Sequence, residues 1–196
     1  VKEENERLRA EIEKYKSLKL NVEFLKDENQ NLQKILETEY FNKNLSNIIL
    51  AKVLVDKNSP FLKSIIINKG TRNGVLKGMP VTKDNYLVGR VVETNYLSSR
   101  VLLLNDLNSR IPVTLDQGAQ AILSGSGSNN PYLEYLPEGY EILSNINVFA
   151  SGKDGIFSPG TPIGKTNDKG EIDLFVDPNQ LSFVTVNLSL QSKDNK

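Results

Sequence analysis

The sequence predicts a mainly β protein with a long N-terminal α-helix, in which a coiled coil is followed by two small six-stranded β-barrel domains. The first observation behind this prediction is a heptad pattern over residues 1–44, which contain neither glycine nor proline. The second is a series of short β-branched runs from Ile48 onward, separated by clusters of Gly, Pro, Asn and Asp. A chain of 196 residues has room for one or two globular units beside such a helix.

In the predicted helix the a and d heptad positions are apolar from Tyr15 to Leu36 except at Asn29, although Glu4 and Glu11 weaken the first two heptads. A helix cannot bury so narrow a stripe alone, and at a length of roughly 60 Å it exceeds any face of a small domain. A solvated helix packed on its own domain is the alternative. We therefore predict a dimer, in which Asn29 sets the register and parallel or antiparallel pairing stays open. The predicted dimer seam consists of Tyr15, Leu18, Val22, Leu25, Asn29, Leu32 and Leu36.

Composition excludes several classes of function. The chain has no His and no Cys, which excludes His-based triads, His/Cys metal sites, thiol nucleophiles and disulfides. Its 24 basic and 24 acidic residues give no net charge, so we expect no nucleic-acid partner. No apolar run approaches the ~20 residues of a membrane span. Because the chain opens in mid-heptad without Met, we expect a membrane anchor upstream of Val1.

Turn residues divide the remainder into strands. The predicted strands are 48–56, 61–68, 80–83, 86–94, 100–104, 111–115, 119–124, 132–136, 147–150, 161–166, 171–176 and 182–190. Six of them fall within 78–137, and six short strands can close a small barrel. We therefore predict a coiled coil at 1–44, a first barrel from 45–77 plus 138–192, an inserted second barrel at 78–137 and a polar tail at 193–196.

The glycine-rich segments are interpreted as structural turns rather than ligand sites. No Lys-Ser/Thr pair follows the three glycines of Lys69 to Val81, so a phosphate loop is not indicated. Ser126 lies between glycines, but no helix follows it as a nucleophile elbow requires, and Asp154 and Asp168 occupy turns where Asp bonds the backbone. We predict no catalytic residue, cofactor site or metal site. The predicted turn positions are Gly70, Gly74, Gly78, Pro80, Gly89, Gly125, Gly152, Gly155, Pro159, Gly160, Pro162 and Gly164.

An ordered series of these segments behind a heptad helix resembles the MreC family, the bacterial rod-shape-determining proteins of the cell envelope. The segments that carry the resemblance are INKGTRNGVLKGMPV, YLVGRVVE, SRVLLLND, RIPVTL, AILSGSG and FASGKDGIFSPGTPIGK, between Ile67 and Lys165. The family commonly shows Phe-Pro-x-Gly near the end, whereas this chain has Phe157-Ser158-Pro159-Gly160. The local geometry of that turn is therefore open.

The resemblance implies an inner-membrane-anchored protein whose bulk lies in the periplasm. It implies a scaffold for the cell-wall elongation machinery, with a coiled-coil dimer and two β-barrel domains that dock peptidoglycan synthases. The implied partners are MreB, MreD, RodA and penicillin-binding protein 2, and dimers could assemble further. Two other functions stay open: a periplasmic adaptor of an efflux or secretion assembly, and an enzyme that uses a Ser–Lys pair or paired carboxylates.

Overall fold

The computed structural model describes residues 2–43, 48–58, 63–116 and 118–188, without the side chains of residues 35–43 and 55–58. Helix α1 spans Lys2–Lys43, and a single 3₁₀ turn covers Thr71–Asn73. The strands are β1 Ile48–Asn58, β2 Lys63–Ile67, β3 Pro80–Lys83, β4 Tyr86–Thr94, β5 Ser99–Leu103, β6 Arg110–Leu115, β7 Gln120–Ser124, β8 Tyr132–Glu134, β9 Asn147–Ala150, β10 Pro162–Thr166, β11 Ile172–Leu174 and β12 Phe183–Asn187. The fold is therefore mainly β behind one long helix, as predicted. Some predicted features lie outside the described residues. They are the tail at 193–196, residues 44–47 of the predicted helix break, and Ser59-Pro60 of the turn after the first strand.

Helix α1 forms a unit of its own, separate from the compact β unit that follows it. Glu3 and Glu4 lie in its first turn, where carboxylates interact favourably with the positive end of the helix dipole. Exposed ion pairs join Arg7 to Glu4 at 3.2 Å and Lys16 to Glu13 at 2.9 Å. Among the described residues, no helix combines the length and the hydropathy needed to cross a membrane.

Six strands close the first barrel in the order β1-β12-β3-β4-β5-β2, with every neighbouring pair antiparallel. Alternating apolar residues of these strands point inward, as a strand period of two requires. Residues from the loop between β2 and β3 complete the core. Its buried members are Ala51, Ile65, Ile67, Val75, Met79, Val81, Val88, Val91, Val101, Leu103, Val184 and Val186.

The other six strands form a second sheet in the order β11-β10-β9-β6-β7-β8. Its two outer strands meet at one point, through a bridge between Tyr132 and Glu171 and a 2.8 Å hydrogen bond from the Ile172 N–H to the Pro131 carbonyl. The sheet is thus curled into a barrel-like shape. Its buried core consists of Leu87, Leu104, Ile111, Val113, Leu115, Ala121, Leu123, Val148, Ala150, Phe157, Ile163 and Ile172.

The strands of the second barrel are inserted between those of the first, and the division into residue ranges differs from the predicted one. Strands β3, β4 and β5, within the range 78–137, belong to the first barrel, where β3 pairs with β12 and β5 pairs with β2. Strands β9, β10 and β11, within the range 138–192, belong to the second sheet, where β9 pairs with β6. The inserted segment therefore runs between β5 and β12. The prediction was wrong here because short strands of even spacing do not reveal which sheet they join.

The two barrels share an apolar junction. Leu87 lies on β4 of the first barrel but packs into the second core, as does Leu104 just after β5. In the reverse direction, Val176 packs against the first core after β11. The rings of Tyr86 and Phe175 also meet across this junction, with centroids 5.0 Å apart. These contacts make the two barrels one packed body.

The crossing from β5 to β6 is held by polar groups. The Asp106 carboxylate is buried and accepts hydrogen bonds from the backbone N–H groups of Lys63 at 2.6 Å and Asn108 at 2.7 Å. Asn105 is also buried and donates from Nδ2 to the Ser128 carbonyl at 2.9 Å. A Cβ on Gly125 would lie 1.8 Å from the Asp106 carbonyl oxygen, so only glycine fits there. This crossing fixes the second barrel against the first.

Candidate interaction surfaces

Most side chains of the predicted seam form an exposed row on helix α1. Residues spaced alternately three and four apart lie along one side of a helix. Although these side chains are apolar, about half or more of each is open to solvent in the single chain. The exposed fractions are 64% for Tyr15, 49% for Leu18, 48% for Val22, 60% for Leu25 and 54% for Leu32. The side chain of Leu36 lies outside the described residues, and the dimer seam stays a prediction.

Asn29 lies within this row and is bonded along its own helix. Its Oδ1 atom accepts a hydrogen bond from Gln33 Nε2 at 3.1 Å, a contact one helical turn long. An amide at an a position can also pair across a two-stranded seam, which fixes the register of the two helices. The Asn29 side chain is exposed, so the same group is accessible to a second helix.

Helix α1 also carries an apolar pair that the heptad pattern does not use. Leu20 and Phe24 are 67% and 64% exposed and lie four residues apart, nearly opposite the predicted seam. A two-stranded coil that buries a and d positions would leave this pair in solvent. The pair therefore offers a control for tests of the seam, since its members are equally apolar and equally exposed.

The predicted turn glycines fall into two groups in the structure. One group has a positive φ between 70° and 95° and consists of Gly74, Gly78, Gly152, Gly155 and Gly160. The other group lies where an added Cβ would come within 2.3 Å of a backbone oxygen, and consists of Gly70, Gly89, Gly125 and Gly164. Pro80 and Pro162 begin strands β3 and β10, and the Pro159 ring packs against Gly152. These positions shape the chain locally and present no side-chain chemistry.

Two of the polar residues considered for catalysis, Ser126 and Asp154, are bonded to their own loops. Ser126 Oγ donates to the Asn130 carbonyl at 2.7 Å, within the loop between β7 and β8. Asp154 Oδ1 accepts from the N–H groups of Ile156 at 3.0 Å and Phe157 at 3.3 Å. These are the local turn bonds expected of Ser and Asp in such segments. Among the described residues, no group of His, Cys, Asp and Glu could hold a metal ion.

A polar network crosses the outer face of the second sheet. Glu134 on β8 accepts hydrogen bonds from the Ser124 hydroxyl at 2.5 Å and from the Tyr132 hydroxyl at 3.2 Å. Arg110 Nε lies 3.6 Å from the same carboxylate. The hydrogen bond from Ser124 is the main reason that the pKa of Glu134 is lowered from its ordinary value. The network ties β6, β7 and β8 together at this face.

A second exposed apolar group lies at one end of the first barrel and was not predicted. It comprises Tyr96 and Leu97 at the corner of the β4–β5 hairpin, which are 67% and 59% exposed. The neighbouring loop of residues 69–78 contains Lys69, Arg72 and Lys77. We call Tyr96 and Leu97 the hairpin tip and residues 69–78 the cationic loop.

Together, the long N-terminal helix and the two packed barrels define a class of protein: a single helix joined to a double β-barrel. The family described as "Rod shape-determining protein MreC, barrel core" matches residues 53–187, more than half of the chain. The chain therefore belongs to the MreC family of cell-shape-determining proteins.

Individual relatives agree with this assignment. The cell shape-determining protein MreC of Caulobacter vibrioides is 33% identical over 188 residues, which are 93% of this chain and 54% of that protein. A crystal structure of MreC from Pseudomonas aeruginosa superposes with a TM-score of 0.65 at 27% identity, covering 72% of this chain and 99% of that chain. A complex between penicillin-binding protein (PBP2) and MreC from Helicobacter pylori shares the fold, with a TM-score of 0.54, 13% identity and coverage of 72% and 98%. The chain thus spans about half the length of the first curated relative.

Proposed function

We propose that this chain is a non-enzymatic scaffold of the cell-wall elongation machinery in the periplasm. In this proposal two chains pair through the seam of helix α1, and the barrels dock peptidoglycan synthases. The observation that carries it is the exposed apolar row on α1, in a chain whose two barrel cores are already buried. Leu18, Val22 and Leu25 are each about half exposed or more.

Packing energetics supports the pairing of helices. Burying an exposed Leu or Val side chain stabilises a complex by about 1.5–3 kcal/mol when the whole side chain leaves water. The row from Tyr15 to Leu32 contributes five apolar side chains from each helix, in addition to the amide of Asn29. The glutamates at the d positions of the first two heptads weaken only the part of the seam that precedes this row.

The class of partner follows from the family and from one related complex. The Helicobacter pylori structure contains MreC with penicillin-binding protein (PBP2). We propose that this chain likewise binds a class B transpeptidase, and that RodA, MreB and MreD belong to the same assembly. Family membership also supports a position beside the inner membrane, held by an anchor upstream of Val1.

The proposal is tested by two measurements on the same protein. Sedimentation should show a dimer of two 21.9 kDa chains, and a purified periplasmic region of the class B transpeptidase from the same organism should bind it. In cells, a Leu25→Asp allele should lose rod shape, while Phe24→Asp should keep it. A monomer at high concentration, or no binding of the transpeptidase, would contradict the corresponding half of the proposal.

The comparisons give no support to the efflux-adaptor alternative. Such adaptors build a helical hairpin, whereas the described part of this chain has one long helix and then strands only, apart from the 3₁₀ turn. The hypothesis of an enzyme gains no support from the geometry of Ser126 and Asp154, which bond their own loops.

A further inference from the structure

The hairpin tip breaks a local rule that the same barrel follows elsewhere. Hairpins with two-residue corners favour Asn, Asp and Gly, which adopt positive φ and stay hydrated. The β3–β4 hairpin obeys this rule, with Asp84 and Asn85 at φ values of 51° and 68°. At the β4–β5 corner the chain instead places Tyr96 and Leu97, and neither has a positive φ. An exposed aromatic–aliphatic corner does not stabilise the folded chain, which indicates a role in binding.

The hairpin tip is held rigidly by its neighbour. The N–H groups of Thr71 and Arg72 in the cationic loop donate to the carbonyls of Asn95 at 2.9 Å and Tyr96 at 3.1 Å. Asn95 N–H donates to the Ser98 carbonyl at 2.8 Å, which closes the corner itself. A Cβ on Gly70 would lie 2.2 Å from the Asn95 oxygen, so glycine permits this close approach. A preformed tip loses little conformational entropy when it binds.

The surface beside the tip is locally basic although the chain has no net charge. The cationic loop carries Lys69, Arg72 and Lys77 and contains no acidic residue. Among the described residues, none of these three has an ion-pair partner. The acidic residue nearest in sequence to the tip is Glu93, and it pairs with Arg100 at 2.8 Å. Arg72, whose backbone is bonded to the tip, is therefore an exposed cation that is available to an acidic surface.

The cationic loop runs along β4 and adds a further apolar side chain. The Gly78 N–H donates to the Val91 carbonyl at 2.8 Å, and the Val91 N–H donates to the Met79 carbonyl at 2.9 Å. Leu76, in the same loop, is 45% exposed. The part of the loop that carries Leu76 and Lys77 thus lies beside β4, whereas Thr71 and Arg72 are bonded to the tip.

We propose that the hairpin tip inserts into an apolar cleft rimmed by carboxylates on a protein partner, and that the cationic loop pairs with that rim. This inference rests on the proposed function, since it assigns the docking of the transpeptidase to this end of the first barrel. Tyr is enriched among residues that dominate binding energy, where it fills a desolvated pocket. Flanking cations then speed association and orient the complex.

Rigidity favours a protein cleft over a lipid surface. A preformed tip binds a fixed cleft more tightly than a flexible one would, because few degrees of freedom are lost on docking. A bilayer is deformable and gains little from a tip held by backbone hydrogen bonds. Basic residues beside apolar ones do attract anionic membranes, so lipid binding forms a separate arm of the test.

The test uses the full chain and the periplasmic region of the class B transpeptidase from the same organism as the probe. Tyr96→Ser and Leu97→Ser should each weaken binding about thirtyfold, the loss typical of a residue that dominates an interface. Tyr135→Ser is the matched control, because Tyr135 is 83% exposed on the second sheet. Arg72→Glu should slow association and reduce its salt dependence, whereas Lys169→Glu in an exposed turn should not.

The outcomes separate the inference from the proposed function. Equal binding by wild type, Tyr96→Ser and Leu97→Ser overturns the inference and leaves transpeptidase docking intact. If the wild type does not bind the probe, both fail. If vesicles of phosphatidylglycerol and phosphatidylcholine bind the wild type but not Leu97→Ser, while probe binding is unaffected, the tip meets lipid and the inference is wrong. Unchanged thermal midpoints in the variants show that the barrel remains folded.

Discussion

Replacing Leu25 by Asp tests the predicted seam on which the proposed dimerisation depends. Leu25 is 60% exposed in the single chain. Since complete burial of a Leu stabilises by about 1.5–3 kcal/mol, burial of the remaining exposed part contributes about 1–2 kcal/mol per helix, and about twice that in a symmetric dimer. A loss of about 2–4 kcal/mol weakens association by roughly thirtyfold to several-hundredfold, before the penalty for burying a carboxylate is added.

The assay is sedimentation equilibrium over a range of concentrations, and Phe24→Asp is its control. Phe24 is 64% exposed, adjacent to Leu25 and on the far side of the helix from the seam. Both variants introduce Asp into the helix interior, and the loss of helix propensity is about a few tenths of a kcal/mol larger for Leu25→Asp, because Leu is a better helix former than Phe. A difference in dimerisation well above that amount reports the side of the helix and not its stability. We expect Phe24→Asp to dimerise like the wild type.

Two results would refute the reasoning. The first is a Leu25→Asp dimer as tight as the wild type, which would show that the heptad row is not the contact. The second is equal weakening by Leu25→Asp and Phe24→Asp, which would show that helix stability or a broader apolar surface drives association. Circular dichroism of both variants establishes how much helix remains. A shift of the sedimenting mass from dimer to monomer can then be assigned to the seam.

Three further predictions concern the β unit. Leu87→Ala should lower the free energy of unfolding by about 2–5 kcal/mol in urea titrations, because this buried side chain joins the first barrel to the second core. Gly125→Ala should lower it by about 1–3 kcal/mol, since the added methyl group meets the Asp106 carbonyl, and a thermal midpoint equal to the wild type would contradict this. Ser124→Ala should raise the pKa of Glu134 toward its ordinary value in an NMR titration, because the main hydrogen bond that lowers it is lost. Because the folded pKa of Glu134 is the lower one, its stabilising contribution is present above the ordinary value and is lost as the pH falls through the folded value.

The strands could be predicted because the signals that end them are local. Each of the twelve described strands overlaps one predicted range, and the ranges 80–83, 86–94 and 147–150 agree at both ends. Asp84-Asn85 and the glycines at turns act within a few residues of where they stand. The heptad row predicted helix α1 for the same reason, since its period is written along the sequence.

Sheet membership could not be predicted because strand pairing is not local. The segment of residues 104–109 leads from one barrel to the other, yet its Asn, Asp and Ser residues have the composition of an ordinary hairpin turn. Its special role appears only in space, where Asp106 reaches the N–H of Lys63 and Gly125 meets the Asp106 backbone. Leu87 is equally ambiguous, since alternation along β4 does not show that it enters the second core.

The hairpin tip could have been found from the sequence, but only by asking what a turn should contain. Tyr96-Leu97 stands between two strand ranges, where Asn, Asp or Gly is expected. A count of strands does not depend on which residues form the connection between them, so the composition of this pair had no effect on the prediction.

Burial divides the large apolar residues into two sets with different meanings. Those of the barrels are largely packed into two cores joined through Leu87 and Leu104, so the β unit is stabilised within one chain. Those of the helix row and the hairpin tip are about half exposed or more, although both lie on well-formed backbone. Folding of a single chain does not account for them, because exposure removes the stabilisation that apolar side chains supply. Since the row repeats every heptad and the tip is one rigid corner beside cations, the row suits a second copy of the same helix and the tip suits a different partner. Variants of Leu25 should therefore change the sedimenting mass of the protein. Variants of Tyr96 should instead change its affinity for the transpeptidase, so the two sets separate self-association from docking.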